Sequence, residues 1–317
     1  MGLLINGKWH TDWYDTHSSN GEFVRQDSQF RHEITPEAKD EGFKAEAGRY
    51  HLFVSLACPW AHRTLILRKL KKLEHVIGVT EVRPEMLENG WEINDGGPIA
   101  NIRYLHEVYT TTKPDYSGRV TVPVLWDKKT STIVNNESSE IIRMLNSAFN
   151  EFTNVKTDYY PEALRKEINA INHFVYDNIN NGVYKTGFAT TQKAYEKAYY
   201  ALFSALDTIE QRLNHQRYLV GKQITETDWR LFTTLIRFDS VYYGHFKANR
   251  KQIEDYPNLS NYVRDLFQQP GVADTVNFDQ IKTHYYYSQD TINPTRIVPL
   301  GPEIDYYTGH NRDRFPT

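Results

Sequence analysis

Tyr50-His51-Leu52-Phe53-Val54-Ser55-Leu56-Ala57-Cys58-Pro59-Trp60-Ala61-His62-Arg63 is the stretch on which the fold turns. Its first six residues are a short apolar run of strand type. Pro59 suits the first position of a helix, where no intrahelical N–H bond is lost. Beyond it Leu65, Ile66, Leu70 and Leu73 recur at helical spacing. Arg68, Lys69, Lys71 and Lys72 load the last turns with the positive charge that favours a helix C-terminus. Residues 76–82 then read as a second strand, so the opening unit is strand, helix, strand, as in a parallel crossover.

Downstream, residues 83–119 are rich in Gly, Asn, Asp and Trp and read as a long irregular, functional stretch. Residues 120–126 and 131–134 read as a hairpin, and Glu137-Ser138-Ser139-Glu140 opens a helix through Ile141, Ile142, Met144 and Leu145. After Pro161 the pattern is helical throughout. Leu164, Ile168, Ile171, Val175 and Ile179 form one stripe, which Asn180-Asn181-Gly182 should stop. Thr225-Glu226-Thr227-Asp228 looks like a helix-opening box, with Asp228 in place of the usual Glu or Gln. No fixed-period repeat is present, which argues against a solenoid. The expected fold class is α/β plus all-α. Residues 1–45 are an ordered but irregular arm packed by Trp9, Trp13, Tyr14, Phe23 and Phe30. Residues 46–155 form the α/β domain, 160–290 the helical domain, and 291–317 a tail packed on the surface.

A length of 317 residues suits about two domains. With 39% hydrophobic and 24% charged residues, the composition is that of a soluble globular protein. Aromatics at 14% suffice to fill a core and also line a ligand pocket. Lys and Arg number 37 against 40 Asp and Glu, so no basic excess points to nucleic acid or an anionic membrane. No run of ~18 apolar residues exists to span a bilayer. Residues 1–8 lack a secretory signal, and Asn6 stands where myristoylation wants Ser or Thr. The expected location is the cytoplasm.

Cys58 is the single cysteine. An intrachain disulfide and a Cys-rich zinc site are therefore both excluded. The 12 His include no pair at His-x-x-x-His spacing, and no metal is expected. Gly-x-Ser-x-Gly, Walker and dinucleotide motifs are missing as well. At a strand-to-helix junction, unsatisfied N–H groups and the helix dipole favour thiolate over thiol. The residue three positions on is Ala61, so a redox disulfide needs a thiol from outside, and glutathione or a relative is the abundant one in a cytosol. His62, one turn beyond Cys58, either helps hold the thiolate or is hydrogen-bonded at the domain interface, the plainer assignment. Val122-Pro123 is either a cis bend that frees the Val122 N–H and C=O for an extended peptide-like ligand, or an ordinary edge-strand proline. Glu137-Ser138 either receives the ammonium and carboxylate of an α-amino acid head or simply caps a helix.

Cys58-Pro59-Trp60-Ala61-His62-Arg63, followed in order by Val122-Pro123 and Glu137-Ser138, resembles the glutathione transferase superfamily. More narrowly the chain is similar to the Xi class, the glutathionyl-hydroquinone reductases. The likeness takes in residues 42–52, 181–189 and 237–242, then His284-Tyr285-Tyr286 and residues 293–299. It implies a thioredoxin-like N-terminal domain that binds glutathione as co-substrate. A helical C-terminal domain would cover the acceptor pocket, and the protein would be a homodimer. Trp91, Arg119, Val122, Glu137 and Ser138 match the family's glutathione contacts. Arg119 would pair with a glutathione carboxylate; Trp91 either covers the peptide or anchors its own loop. Tyr184, Tyr242 and one of Tyr285 or Tyr286, here Tyr286, match the aromatic pocket.

The reaction so implied is attack by the Cys58 thiolate on the conjugate sulfur, release of hydroquinone, and resolution of the mixed disulfide by a second glutathione. Tyrosine hydroxyls, protonated at neutral pH, would donate to the ring oxygens. Three rivals differ in what they require. A general thiol transferase or dehydroascorbate reductase needs Cys58 but no phenol pocket. Ordinary conjugation normally uses a Ser or Tyr hydroxyl. A non-catalytic binding module on the same fold would tolerate loss of Cys58.

Overall fold

In the computed structural model, which describes residues 2–38, 42–94 and 97–315, the N-terminal arm departs from the irregular segment expected. Strands β1 (Leu3–Ile5) and β2 (Lys8–His10) form an antiparallel hairpin about Asn6-Gly7, both at positive φ. Farther on, β3 (Ile34–Thr35) pairs in parallel with β4 (Phe43–Lys44). Strands of two or three residues are too short for an alternation to be read. Of the segments read above, Met1, residues 39–41 of the arm, 95–96 of the long connection and 316–317 of the tail lie outside the described residues.

The crossover forms as read: β5 (Tyr50–Val54), α1 (Pro59–Leu70) and β6 (Gly78–Glu81), with β5 and β6 parallel. The stretch 83–119, expected to be irregular, contains helix α2 (Leu105–Thr112). Leu105, Val108 and Tyr109 bury one face of it. At its start the Glu107 carboxylate accepts the N–H groups of Arg103 (2.8 Å) and Tyr104 (2.7 Å). Two helical turns between polar loops give too little periodicity to stand out. Then come β7 (Gly118–Arg119), paired with β1, and β8 (Val124–Asp127), β9 (Thr132–Asn135) and α3 (Ser138–Ser147). The main sheet runs β6-β5-β8-β9, with β8 antiparallel to both neighbours, and α1 packs against α3. This is the thioredoxin-like arrangement the resemblance implies.

The helical half holds α4 (Arg165–Val175), α5 (Gly182–Gly187), α6 (Gln192–Leu213), α7 (Glu226–Arg237) and α8 (Pro257–Phe267), with the short α9 (Phe278–Lys282) following in the chain. Asn180-Asn181-Gly182 does not stop the helix as expected. A π turn (Tyr176–Asn180) passes straight into α5. Asn180 is buried and its amide donates to Arg230 O (3.0 Å) and Thr234 Oγ1 (2.7 Å) of α7, which fixes the wider turn. The box at α7 is realised: the Asp228 carboxylate accepts the Thr225 N–H at 2.8 Å and the Tyr262 hydroxyl at 2.8 Å.

Two units divide the chain. The cysteine unit comprises Met1–Trp13, Arg25–Thr157 and Thr275–Ser288; the helical unit comprises Tyr14–Val24, Asp158–Asp274 and Gln289–Thr317. This division departs from the sequence ranges at both ends. Residues 14–24 leave the arm for the helical unit, where Gly21 O accepts the Thr190 N–H (3.0 Å) and Asn20 O the Thr191 hydroxyl (3.1 Å). Residues 275–288 leave the helical range for the cysteine unit. The tail is anchored by Arg312, a buried side chain that donates to the carbonyls of Leu213 (2.9 Å) and Arg217 (3.0 Å).

Candidate active site

In the cysteine unit Cys58 is the N-cap residue of α1, in extended conformation, with Pro59 in the first turn and no acidic residue there. It is half-buried, and its Sγ lies 3.7 Å from Val122 O. The Val122-Pro123 bond is cis, the first of the two readings above. The Val122 carbonyl, expected to be free for ligand, here receives the thiol. A single hydroxyl braces this region. Tyr109, buried on α2, donates to Thr121 O (2.8 Å) and accepts from Thr121 N (3.2 Å) and Asn136 Nδ2 (3.1 Å). It thereby ties the residue before Val122 to the residue before Glu137, and burial raises its pKa above the usual tyrosine value.

Glu137 is the N-cap of α3; its carboxylate accepts the Ser139 N–H (3.0 Å) and hydroxyl (2.8 Å), and its other oxygen the Ser28 hydroxyl (3.3 Å). Capping, one of the two alternatives, is therefore realised. Ser138 is buried, and its Oγ accepts from Arg63 Nη1 at 3.3 Å. The Arg63 guanidinium is itself 1% exposed and lies 4.6 Å from the Trp60 ring centroid. A buried cation beside a helix N-terminus makes a strongly anion-favouring corner. Arg119 donates to Asp12 O (2.6 Å) and Trp13 O (2.7 Å), so two of its nitrogens already hold the arm. Trp91 is buried and stacked on His284 (4.7 Å, 22°), and its carbonyl accepts the Leu105 N–H: it anchors its own loop. His62 is buried with Nε2 2.8 Å from Thr275 Oγ1, a hydrogen bond within the cysteine unit and not at the domain interface expected. Tyr286, half-buried in a π turn (Thr283–Tyr287), belongs to this unit, while Tyr285 beside it is 1% exposed.

Tyr184 and Tyr242 belong to the helical unit, with ring centroids 6.1 Å apart. Phe246 packs against both, at 5.6 and 5.4 Å, and Phe188 and Phe23 complete the cluster around Tyr184. Gly187 permits this packing, since a Cβ there would collide with the Phe246 ring. Among the described residues no group of three His, Cys, Asp or Glu could hold a metal, and no helix is long and apolar enough to cross a membrane.

Residues 57–148 match the family described as glutathione S-transferase, N-terminal domain, and residues 192–265 the glutathione S-transferase, C-terminal domain. Over 324 positions, 99% of each chain, the sequence is 53% identical to the glutathionyl-hydroquinone reductase YqjG of Escherichia coli strain K12. The structure of a Xi-class transferase from Natrialba magadii matches at TM-score 0.94 and 45% identity, over 99% of this chain and 98% of that one. This chain belongs to the Xi-class glutathione transferases. The glutathione-bound structure of the E. coli relative matches at TM-score 0.91 and 50% identity, over 99% of this chain and all of that one.

Sequence reasoning gave no site role to several residues that contact the candidates: Tyr109, Arg63 and His284 in the cysteine unit, and the rings of Phe23 and Phe246 in the helical unit. Each has a partner 12 or more residues away in sequence, beyond any local pattern. The three π turns were missed too. One precedes the α5 helix of Tyr184, one (Phe238–Tyr242) ends on Tyr242, and one carries Tyr286. Such turns recur at functional sites because the extra residue redirects side chains. In the turn of Tyr242, the Asp239 carboxylate accepts the N–H groups of Ile253 (2.5 Å) and Glu254 (3.1 Å), and burial pushes its pKa up to about 6.

Proposed function

We propose that this chain reduces glutathionyl-hydroquinones to hydroquinones through a mixed disulfide between Cys58 and glutathione. The observation that carries the reading is the lone cysteine at the N-cap of α1, with its thiol at the carbonyl before a cis-proline. The Cys58 thiolate attacks the sulfur of the conjugate. The new S–S bond forms as the bond from sulfur to ring carbon breaks. That carbon leaves with the electron pair and takes up one proton, so the ring is reduced by two electrons and the two sulfurs are oxidised. A second glutathione thiolate then attacks the mixed disulfide, giving oxidised glutathione and free Cys58.

In this reading the buried Arg63 and the N-terminus of α3, with Ser138, receive a glutathione carboxylate. Glu137 pairs with the ammonium through the carboxylate oxygen nearer Ser28. Val122 offers its backbone N–H, and its carbonyl once the Cys58 thiol has ionised, to the extended peptide, Trp91 shields the peptide as well as anchoring its own loop, and Arg119 contributes by fixing the arm at Asp12 and Trp13. Tyr184, Tyr242 and Tyr286 donate to the ring oxygens, which stabilises the charge that develops as carbon is expelled. The working form is a cytoplasmic homodimer.

The test is intact mass after a glutathionyl-hydroquinone is added to wild type and to Cys58→Ala, with free hydroquinone assayed alongside. One glutathione on the wild type alone, with hydroquinone released, supports the reading. An adduct from oxidised glutathione but none from the conjugate replaces it with general thiol transfer. No adduct from either removes the enzyme.

A further inference from the structure

After the helical region the chain returns to the cysteine unit for residues Thr275–Ser288 alone, then leaves it again. This segment contains α9 and the π turn of Tyr286. Three polar ties hold it. At its start, Thr275 Oγ1 pairs with Nε2 of His62, one turn beyond Cys58 on α1. Near its end, His284 Nδ1 lies 2.9 Å from Pro84 O while its ring stacks on Trp91. A carbonyl can only accept, so Nδ1 carries the proton and the ring's tautomer is set. At its last residue, the Ser288 hydroxyl accepts the Met86 N–H at 2.9 Å and donates to Pro84 O at 3.3 Å. His62, His284 and Thr275 are all buried.

These three ties end on elements that carry a candidate site residue: α1, headed by Cys58, or the loop that leads into Trp91. Packing alone has no need of this coincidence; a segment that must present Tyr286 at a fixed place relative to Cys58 does. We propose that residues 275–288 are a clamped segment that sets the position of Tyr286 against Cys58, and that Thr275 with His62, His284 and Ser288 are its positioning residues. The inference rests on the role given to Tyr286 above. A misplacement of 1 Å can cost about 100-fold in rate, so loosening one tie of three should cost about three- to tenfold.

The experiment uses full-length Thr275→Val, His284→Phe and Ser288→Ala. His284→Phe keeps a ring against Trp91 and removes the bond to Pro84. Two rates are compared for each: hydroquinone release from a glutathionyl-hydroquinone at saturation, and formation of the Cys58 mixed disulfide from oxidised glutathione. The clamp predicts that kcat for release falls about three- to tenfold while disulfide formation changes less than about twofold. Thr275→Ser, which keeps the hydroxyl, should recover the wild-type kcat. Equal losses in both rates would mean that the ties merely support the fold, and the inference would fail. It would fail equally if neither rate moved. A wild type that releases no hydroquinone would remove the proposed function and the clamp with it, an outcome distinct from both.

Discussion

In the cysteine unit the polar groups of the candidate site already have protein partners. Glu137 caps α3, Ser138 holds Arg63, Arg119 holds the arm, and Tyr109 braces the backbone on either side. In the helical unit Tyr184 and Tyr242 are surrounded by rings instead, with Phe23, Phe188 and Phe246 as neighbours. If the proposed function holds, the first region suits one charged peptide in one pose, since its donors are fixed before ligand arrives. The second is a cluster of buried rings whose hydroxyl-bearing members, under the proposed function, suit a class of aromatic compounds better than a single member. Under the proposed function, chemistry and glutathione recognition are assigned to the first region, and the acceptor's aromatic contacts to Tyr184 and Tyr242 of the second together with Tyr286 of the first.

The contrast is most severely tested at Cys58. Cys58→Ala should lose more than about 10³-fold in hydroquinone release and form no glutathione adduct by mass, because no other thiol exists to take its place. Next, Tyr184→Phe and Tyr242→Phe should each lower kcat on glutathionyl-hydroquinones by up to about 100-fold, within the usual range for a proton donor. Both should leave mixed-disulfide formation from oxidised glutathione nearly unchanged. Equal losses in the two assays would erase the division of labour.

A third test reads stability. Asp239 has a folded pKa near 6 against an ordinary 3.8, so the fold binds its proton more readily than the unfolded chain does. Its contribution to stability is then present at low pH and lost as pH rises through about 4 to 6, on the order of 3 kcal/mol in all. Asp239→Asn should remove that slope when urea midpoints of the two proteins are compared from pH 4.5 to 7. In the cysteine unit His51 works the other way. Burial pushes its pKa down to about 4, so stability is lost as pH falls from about 6.5 toward 4. An unchanged difference between wild type and Asp239→Asn across this range would show that the carboxyl does not titrate there. The smallest effect is expected at Glu137. Glu137→Ala should destabilise the fold by about 1 kcal/mol through loss of the cap. Glu137→Ser should restore the thermal midpoint but not the KM for glutathione, which separates the cap from the ligand contact.

How much of this was legible follows from the range over which each signal acts. Cys58-Pro59 marks a helix start by purely local rules, and so does Thr225 with Asp228 three residues on; both stand as read. Glu137 was recognised as a residue that could cap or bind, and the cap is visible because its partner Ser139 is two residues away. Elements below the length of a periodic pattern escaped: the β1–β2 hairpin and α2. Asn180-Asn181-Gly182 misled because its reading as a stop ignores α7, whose Thr234 and Arg230 supply the partners that keep the chain helical. Tyr109, Arg119 and His284 bond to residues 12, 107 and 200 positions away, and nothing local foretells such contacts.

The division of the chain has an evolutionary consequence. The backbone crosses between the two units five times, at residues 13/14, 24/25, 157/158, 274/275 and 288/289. Proteins whose domains join through one linker can trade a domain by a single recombination event. Here a cut at 157/158 would strip the cysteine unit of the segment that carries Tyr286 and the helical unit of the strap that carries Phe23. A recombined half would arrive without part of its own structure. New preferences in such a chain are therefore reached by point substitution within a unit rather than by exchange of a helical cassette.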